Sequence, residues 1–250
     1  MIRPSIRLVL LVCWLAGFAL IVIVASILTL GRRRAIARVG STLLTWFSAG
    51  LCRIFGIRVT STGTALPAGA CLVTPNHWGY VDVFVLGSLY RTLFVSRADV
   101  ADWPVIGFFA RAGGTLFIRR EIRRDAARVG DEIETSLWLG SRVTAFLEGG
   151  AGDGIRVRPF KSALVEAAVT SRAPCVPVAI RYTLPANPEL SPSTTVAWID
   201  GDFTRHLWRL MGTRRIEAGV TFLPPRTGSD RKELARQLEE DVRAALENPR

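Results

Sequence analysis

Lysine is almost absent from this 250-residue chain. Lys161 and Lys232 are the only two, although lysine and arginine together number 32 against 21 acidic residues. The formal charge of +11 is therefore carried by arginine, whose planar fork of donors suits phosphate and carboxylate oxygens. An excess of this size points to an anionic partner, either a phosphate-bearing lipid surface or a nucleic acid. Histidine is as scarce, with two residues, and the four cysteines (Cys13, Cys52, Cys71, Cys175) lie far apart without a CxxC pair. That leaves no plausible ligand set for a structural zinc, and the cysteines read as reduced thiols of a cytosolic domain. No G-x-S-x-G occurs, which excludes the serine nucleophile elbow. The glycine-rich EGGAGDG, residues 148–154, lacks the Lys-Ser/Thr of a nucleotide P-loop. Internal repeats and low-complexity linkers are also missing, so one globular domain with a short appended segment is the economical reading.

The appended segment is the strongest bulk signal present. Leu8 to Leu30 contains no charge, and as a helix at about 1.5 Å per residue it reaches roughly 34 Å, enough to cross a hydrocarbon core. A cleaved signal peptide has a shorter apolar core, about 7–15 residues, and a small-residue cleavage site that is not clear here. A buried core helix would show some polar face. Arg32, Arg33, Arg34 and Arg38 follow the run, against Arg3 and Arg7 before it. The positive-inside bias then predicts a cytoplasmic (inner) membrane protein, single-pass or monotopic, with its bulk facing the cytoplasm. The expected division is a membrane anchor with basic flank over 1–39, an amphipathic or interfacial helix over 40–58, and a globular catalytic domain over 59–250. Trp46, Phe47 and Phe55 suit either the headgroup boundary or a core.

From residue 57 strand-like and helix-like segments alternate. GIRVTSTG, ACLVTP, RTLFVSR, GTLFIRR, RVTAFLEGG and CVPVAIRYT read as strands, with TTVAWIDGD and RIEAGVTFLPP closing the sheet. VDVFVLGSLY, RDAARVGDEIETSLWLGS, KSALVEAAVTSR and Thr204 to Gly212 read as helices, and SDRKELARQLEEDVRAALE as a capped amphipathic one. The alternation predicts an α/β fold: a largely parallel mixed sheet flanked by helices, behind an N-terminal membrane helix.

NHWGYVD, residues 76–82, holds one of the two histidines and an aspartate five positions later. On a continuous helix the two would lie about 140° apart. Pro75, Asn76 and Gly79 break regular structure there, so His77 is expected in a turn at a strand end, with Asp82 in the first helical turn. The carboxylate can then fold back onto the imidazole, fix its tautomer and leave the other nitrogen free to take a proton from a hydroxyl. The plain alternative is a structural histidine beside an aspartate that a helix N-terminus favours anyway. His206, beside Trp208 on an amphipathic segment, reads as packing or interfacial.

NHWGYVD, GGTLFIRR, FLEGGAGDG and VPVAI, in that order over residues 71 to about 182, resemble the four motifs of the glycerophospholipid acyltransferase family. Its best-known members are the 1-acyl-glycerol-3-phosphate acyltransferases. DGIRVRPFKSAL and AWIDGDFTRHLWRLMG look like the bacterial branch that includes lyso-ornithine-lipid acyltransferases. The resemblance implies that fold, with His77 as general base and Asp82 as its orienting partner. It also implies substrate contacts from Gly114, Phe117 and Arg120 of the second motif, Glu148 and Gly149 of the third, and Pro177 of the fourth. Arg97, ending another strand, could join Arg120 on a phosphate. Two positions depart from the usual Phe-Pro-Glu-Gly-Thr of the third motif: Leu147 replaces the proline and Gly150 the threonine. The lost hydroxyl loosens the expectation of a strict lysophosphatidate preference, not that of acyl transfer.

The implied reaction moves an acyl chain from acyl-CoA or acyl-carrier protein to a lysophospholipid hydroxyl. The acceptor expected first is 1-acyl-sn-glycerol-3-phosphate, giving phosphatidate, with lyso-ornithine lipid as the alternative. It calls for no metal or redox cofactor; its partners are membrane lipids and the thioester carrier, not nucleic acid. Two other readings compete: a hydrolase using His77 and Asp82 on water, and a non-enzymatic anchored module binding anionic lipid through its arginines.

Overall fold

The computed structural model describes residues 2–28, 33–119 and 121–247. Arg32 and Arg120 fall outside them, and of Arg33, Arg34 and Arg38 only the helical backbone is described. The chain opens with two long helices, α1 (Ile2–Leu28) and α2 (Arg33–Phe55), and continues through β1 (Ile57–Gly63), β2 (Cys71–Pro75), α3 (Val81–Leu89) and β3 (Leu93–Arg97). A 3-10 turn at Ala98–Asp102 leads to α4 (Ile106–Ala112), β4 (Leu116–Ile118), α5 (Arg123–Trp138), β5 (Arg142–Thr144) and α6 (Glu166–Ser171). Then follow β6 (Cys175–Thr183), α7 (Pro192–Thr195), α8 (Phe203–Gly212), β7 (Ile216–Phe222) and α9 (Arg231–Glu247).

The strands form one seven-stranded sheet in the order β1-β7-β6-β2-β5-β3-β4. All neighbouring pairs are parallel except β6 with β7. The mostly parallel, helix-flanked sheet expected from the alternation of segments is the one observed. β2 sits at its centre with every residue buried, which is why CLVTP reads as an unbroken apolar run. Its pleat sends Cys71 and Val73 to one face, with Phe55, Val85 and Leu210, and Leu72 to the other, with Ile133, Val165 and Leu238. Helices thus cover both faces. α9 starts as its sequence announces: the Asp230 side chain accepts from the N–H groups of Lys232 and Glu233, both at 2.8 Å, and Leu234, Leu238 and Val242 are buried.

One strand expectation fails. TTVAWIDGD is not in the sheet; Ser191 caps a helical turn begun by Pro192, and the chain then runs irregularly to α8. Val196 and Ala197 are buried in the core, and the Trp198 N–H donates to Trp78 O at 2.9 Å. The apolar residues there mark burial under the NHWGYVD turn rather than a sheet position, a distinction periodicity cannot make for so short a run.

α1 and α2 form an antiparallel hairpin. Trp14 Nε1 donates to Phe47 O at 3.2 Å, and the rings of Trp14, Phe18, Phe47 and Phe109 pack in a row, the last two stacked. The Trp14 ring lies so close to Gly50 that a Cβ there would come within 2.0 Å of it. Of the three aromatics weighed on α2, Phe47 and Phe55 are core, whereas Trp46 is 70% exposed. Ile2–Ala25 is long and apolar enough to cross a membrane by length and composition. The hairpin is tied to the rest of the chain by Arg7, whose Nη1 donates to Met211 O at 2.9 Å and Thr213 O at 2.6 Å, at the end of α8.

Candidate active site

Parallel pairing brings the carboxyl ends of β2, β5, β3 and β4 to one edge of the sheet. Open α/β sheets hold ligands at such edges. Asn76, His77 and Trp78 continue from β2; Phe146 to Gly149 follow β5; Arg97 ends β3; Arg119 follows β4. At about 4.8 Å per strand, β3 stands roughly 10 Å and β4 roughly 14 Å from β2.

At the centre, His77 Nδ1 lies 2.8 Å from Asp82 Oδ2. The turn that permits this is built into the backbone: Asn76 is locked to β6 by bonds in both directions with Ile180, at 2.7 and 3.0 Å. α3 then starts at Val81, with Asp82 in its first turn. Asp82 is fully buried and collects four donors. Besides the imidazole, its Oδ2 accepts from the N–H groups of Trp78 (2.6 Å) and Gly79 (3.1 Å), and its Oδ1 from the Tyr182 hydroxyl (2.7 Å). These donors offset the cost of burying the carboxylate. Burial, reinforced by Asp82 itself, holds the Tyr182 phenol well above its ordinary pKa, so it remains a donor. A carboxylate only accepts, so the proton sits on Nδ1 and Nε2 presents a lone pair. Among the described residues nothing bonds to Nε2, and the His77 side chain is 14% exposed. Phe146 stacks on the ring at 3.8 Å and 22°, which blocks its rotation.

The loop after β5 completes the setting. The His77 N–H donates to Glu148 Oε1 at 2.8 Å, and the Arg158 N–H to Glu148 Oε2 at 3.1 Å. The Arg158 guanidinium also reaches Glu148 Oε2 at 3.5 Å, Ala151 O at 2.8 Å, and Gly150 O. Gly152 N–H returns to His77 O at 2.8 Å. Burial raises the Glu148 pKa against these bonds. Both Glu148 oxygens thus accept bonds inside the protein, and the residue braces His77. Gly154, at φ +72°, lets the loop pass over the Trp78 ring, where a Cβ would come within 2.2 Å.

Of the remaining expected residues, all but Gly149 lie apart from this centre. Pro177 is buried within β6, level with Thr74, below the loop instead of lining it. Gly114 adopts φ +77° in the turn from α4 to β4, a role in chain direction. Phe117 is half-buried in β4 beside Ser96. Arg97 is exposed and paired with Asp99 through two bonds, Nε to Oδ1 at 2.9 Å and Nη2 to Oδ2 at 2.6 Å. Arg120 lies outside the described residues; Arg119 beside it is exposed. Gly149 lies under Lys161, whose Nζ would meet a Cβ there at 2.6 Å. His206 is buried, its Nδ1 2.9 Å from the Tyr80 hydroxyl, a packing position as expected.

Sequence reasoning gave no site role to Phe146, Arg158, Lys161 or Tyr182, and named Asn76 only as a break in regular structure. Arg158 and Lys161 had a signal, as cations within ten to thirteen positions of Glu148 and the two ends of RPFK. Tyr182 had none, because its 100-residue separation from Asp82 is closed only by β6 pairing beside β2.

Comparison with known proteins agrees with this geometry. The family model described as Acyltransferase matches residues 57–181. A lyso-ornithine lipid O-acyltransferase of Rhodobacter capsulatus is 36% identical over 208 residues, 78% of this chain and 74% of that one. A 1-acyl-sn-glycerol-3-phosphate acyltransferase of Neisseria meningitidis is 28% identical over 219 residues, covering 86% and 82%. The crystal structure of the 1-acyl-sn-glycerophosphate (LPA) acyltransferase PlsC of Thermotoga maritima superposes with a TM-score of 0.67. It covers 98% of this chain and 96% of that one at 18% identity, a likeness of fold.

Proposed function

The chain belongs to the acyltransferase family and is an acyltransferase of lysophospholipid type, and we propose that it acylates the hydroxyl of lyso-ornithine lipid from an acyl-CoA or acyl-carrier-protein thioester, with His77 as general base. The observation that carries the chemistry is the 2.8 Å bond from His77 Nδ1 to the buried Asp82, with Nε2 unbonded. Nε2 takes the proton of the acceptor hydroxyl as its oxygen attacks the thioester carbonyl. Asp82 stabilises the imidazolium that forms. Collapse of the tetrahedral oxyanion expels the thiolate, which regains the proton, and leaves the ester. The Gly150 carbonyl is held by Arg158, so the N–H of the same trans peptide, that of Ala151, faces away from Arg158, and the reading takes it as the donor to the oxyanion. The donor thioester arrives already activated, so the step asks for no metal or redox group.

Two observations favour lyso-ornithine lipid as acceptor. The relatives of that name are the more similar of those compared, and Gly150 stands where a hydroxyl would serve a lysophosphatidate site. Ornithine brings a carboxylate and an ammonium, and the Arg97–Asp99 pair offers both opposite charges at the rim. Lysophosphatidate is the second reading, favoured by the arginines around the end of β4.

The hairpin supports a monotopic placement. Arg7 at one end of the apolar run is bonded to the catalytic domain, and α2 leads back into β1 alongside it. A crossing by α1 would oblige α2 to cross back, but its apolar stretch Thr42–Phe55 reaches only about 21 Å, short of a core about 30 Å thick. The reading therefore lays the hairpin in one leaflet, cytoplasmic by its arginine flank, with the active site at the headgroup plane.

The test supplies the purified protein in liposomes with acyl thioester and either lyso-ornithine lipid or lysophosphatidate, and identifies the ester formed. A kcat/KM at least tenfold higher for lyso-ornithine lipid is expected. Preference for lysophosphatidate would transfer the assignment to phosphatidate synthesis.

A further inference from the structure

A second cleft, of about 510 Å3, opens between the first turns of α1 and the last turn of α2. It lies on the same sheet edge as His77 but at the opposite flank from Arg97, near the start of β1, three strands from β2. Arg3, Arg7 and Arg53 line it together with the apolar side chains of Ile6, Leu10 and Ile54.

The charges in this cleft are uncompensated. Arg3 and Arg7 stand four residues apart on one helix face, a like-charge spacing that destabilises a helix. Among the described residues no carboxylate pairs with Arg3, Arg7 or Arg53. Arg7 is nonetheless held rigidly, its Nη1 bonded to Met211 O and Thr213 O and its Nη2 3.4 Å from Arg214 O. Its Nε–H has no protein acceptor among the described residues. Three arginines lining one cleft, one of them held in place by backbone carbonyls, suit a phosphate group.

The walls narrow the ligand further. Ile6 and Leu10 are exposed and continue into the outward apolar face of α1, with Val9, Leu20 and Ile21. A hydrated inorganic anion gains nothing from such walls, and a nucleic acid would ask for stacking rings that the cleft lacks. A molecule with an anionic head and a hydrocarbon tail uses both surfaces at once.

We propose that this cleft binds one anionic phospholipid of the host membrane, its phosphate among Arg3, Arg7 and Arg53 and an acyl chain along Ile6, Leu10 and Ile54. The bound lipid neutralises the cluster at the point where Arg7 bridges the hairpin to α8, and so fixes the anchor against the catalytic domain. No residue of the acyl-transfer site takes part, so the two assignments stand or fall separately.

The test uses the full chain in an uncharged detergent, with phosphatidylglycerol, phosphatidylcholine or inorganic phosphate added. Melting temperature and retention of lipid by native mass spectrometry are both read. Phosphatidylglycerol is expected to raise the melting temperature and to be retained one molecule per chain, and the other two to do neither. The double substitution Arg3→Gln with Arg53→Gln spares the carbonyl bonds of Arg7. It should weaken phosphatidylglycerol binding roughly twenty-fold, since each basic residue near an anionic lipid counts for about fivefold. Equal stabilisation by phosphatidylcholine, reproduction by inorganic phosphate, or unchanged affinity in the double variant would overturn the proposal. Should that variant not fold, salt decides on the wild type: affinity that does not fall between 50 and 500 mM salt also overturns it.

Discussion

The centre and the rim of the catalytic edge are built on opposite principles. At the centre, Asp82, Glu148 and Asn76 are buried, and their polar atoms are bonded largely to backbone groups of the turn after β2, of β6 and of the 148–158 loop. At the rim, Arg97 and Arg119 are exposed, and Arg97 is held only by another surface side chain. On the proposed function the difference separates two tasks. Proton transfer needs one geometry held tightly, whereas gripping a headgroup tolerates mobile charges that settle when the lipid arrives. Changes at the centre should therefore act on kcat and on stability together, and changes at the rim on KM.

The largest effect is expected from Asp82→Asn. It removes the acceptor that fixes the imidazole tautomer and should lower kcat by about 10³–10⁴-fold, on the scale of an orienting carboxylate in a catalytic triad. Steady-state acyl transfer measures it; a loss under tenfold would remove Asp82 from the orienting role. Next, Tyr182→Phe leaves a lone pair of the buried Asp82 unpaired. It should cost about 2 kcal/mol in denaturant unfolding, as expected for a bond to a charged group, with a smaller fall in kcat. Arg158→Ala frees the carbonyls of Gly150 and Ala151 and should lower kcat about tenfold with the fold intact, checked by activity beside circular dichroism. Arg97→Ala should raise the acceptor KM by about two- to fivefold and leave kcat alone, because an exposed pair contributes about 1 kcal/mol or less. A fall in kcat with KM fixed would place Arg97 with the centre and erase the distinction.

The smallest effect concerns pH. Burial holds Glu148 above its ordinary 4.5, so its protonated form is favoured by folding. That contribution is complete below 4.5 and is lost as pH rises through the raised value. Relative to Glu148→Gln, the wild type should therefore lose unfolding free energy as pH climbs from 4 to 7. A constant difference across that range would mean that the bonds from His77 and Arg158 cancel the burial cost.

Much of this was legible in the sequence, and the parts that were not share a cause. The sheet, α3, α5 and α9 follow from local periodicity and from caps such as Asp230, and the turn at residues 76–79 from its proline, asparagine and glycine. TTVAWIDGD misleads because burial beneath a loop and burial in a sheet give the same apolar run. The sequence places Glu148 near the site, but that its oxygens accept from His77 and Arg158 emerges only in the fold. Tyr182, Phe146 and the Arg7 bonds depend on partners separated by 69 to 207 residues, which no local pattern encodes.

The most direct measurement follows both thiol release and ester formation by the wild type and by His77→Ala, in the same liposomes with the same thioester and lysolipid. If His77 is the base of an acyl transfer, wild type yields one ester per thiol released, and the variant loses both by at least 10²-fold, the lower range for general-base catalysis. Thiol release without ester would make the enzyme a thioester hydrolase. Ester formation undiminished in His77→Ala would contradict the assignment of His77 itself.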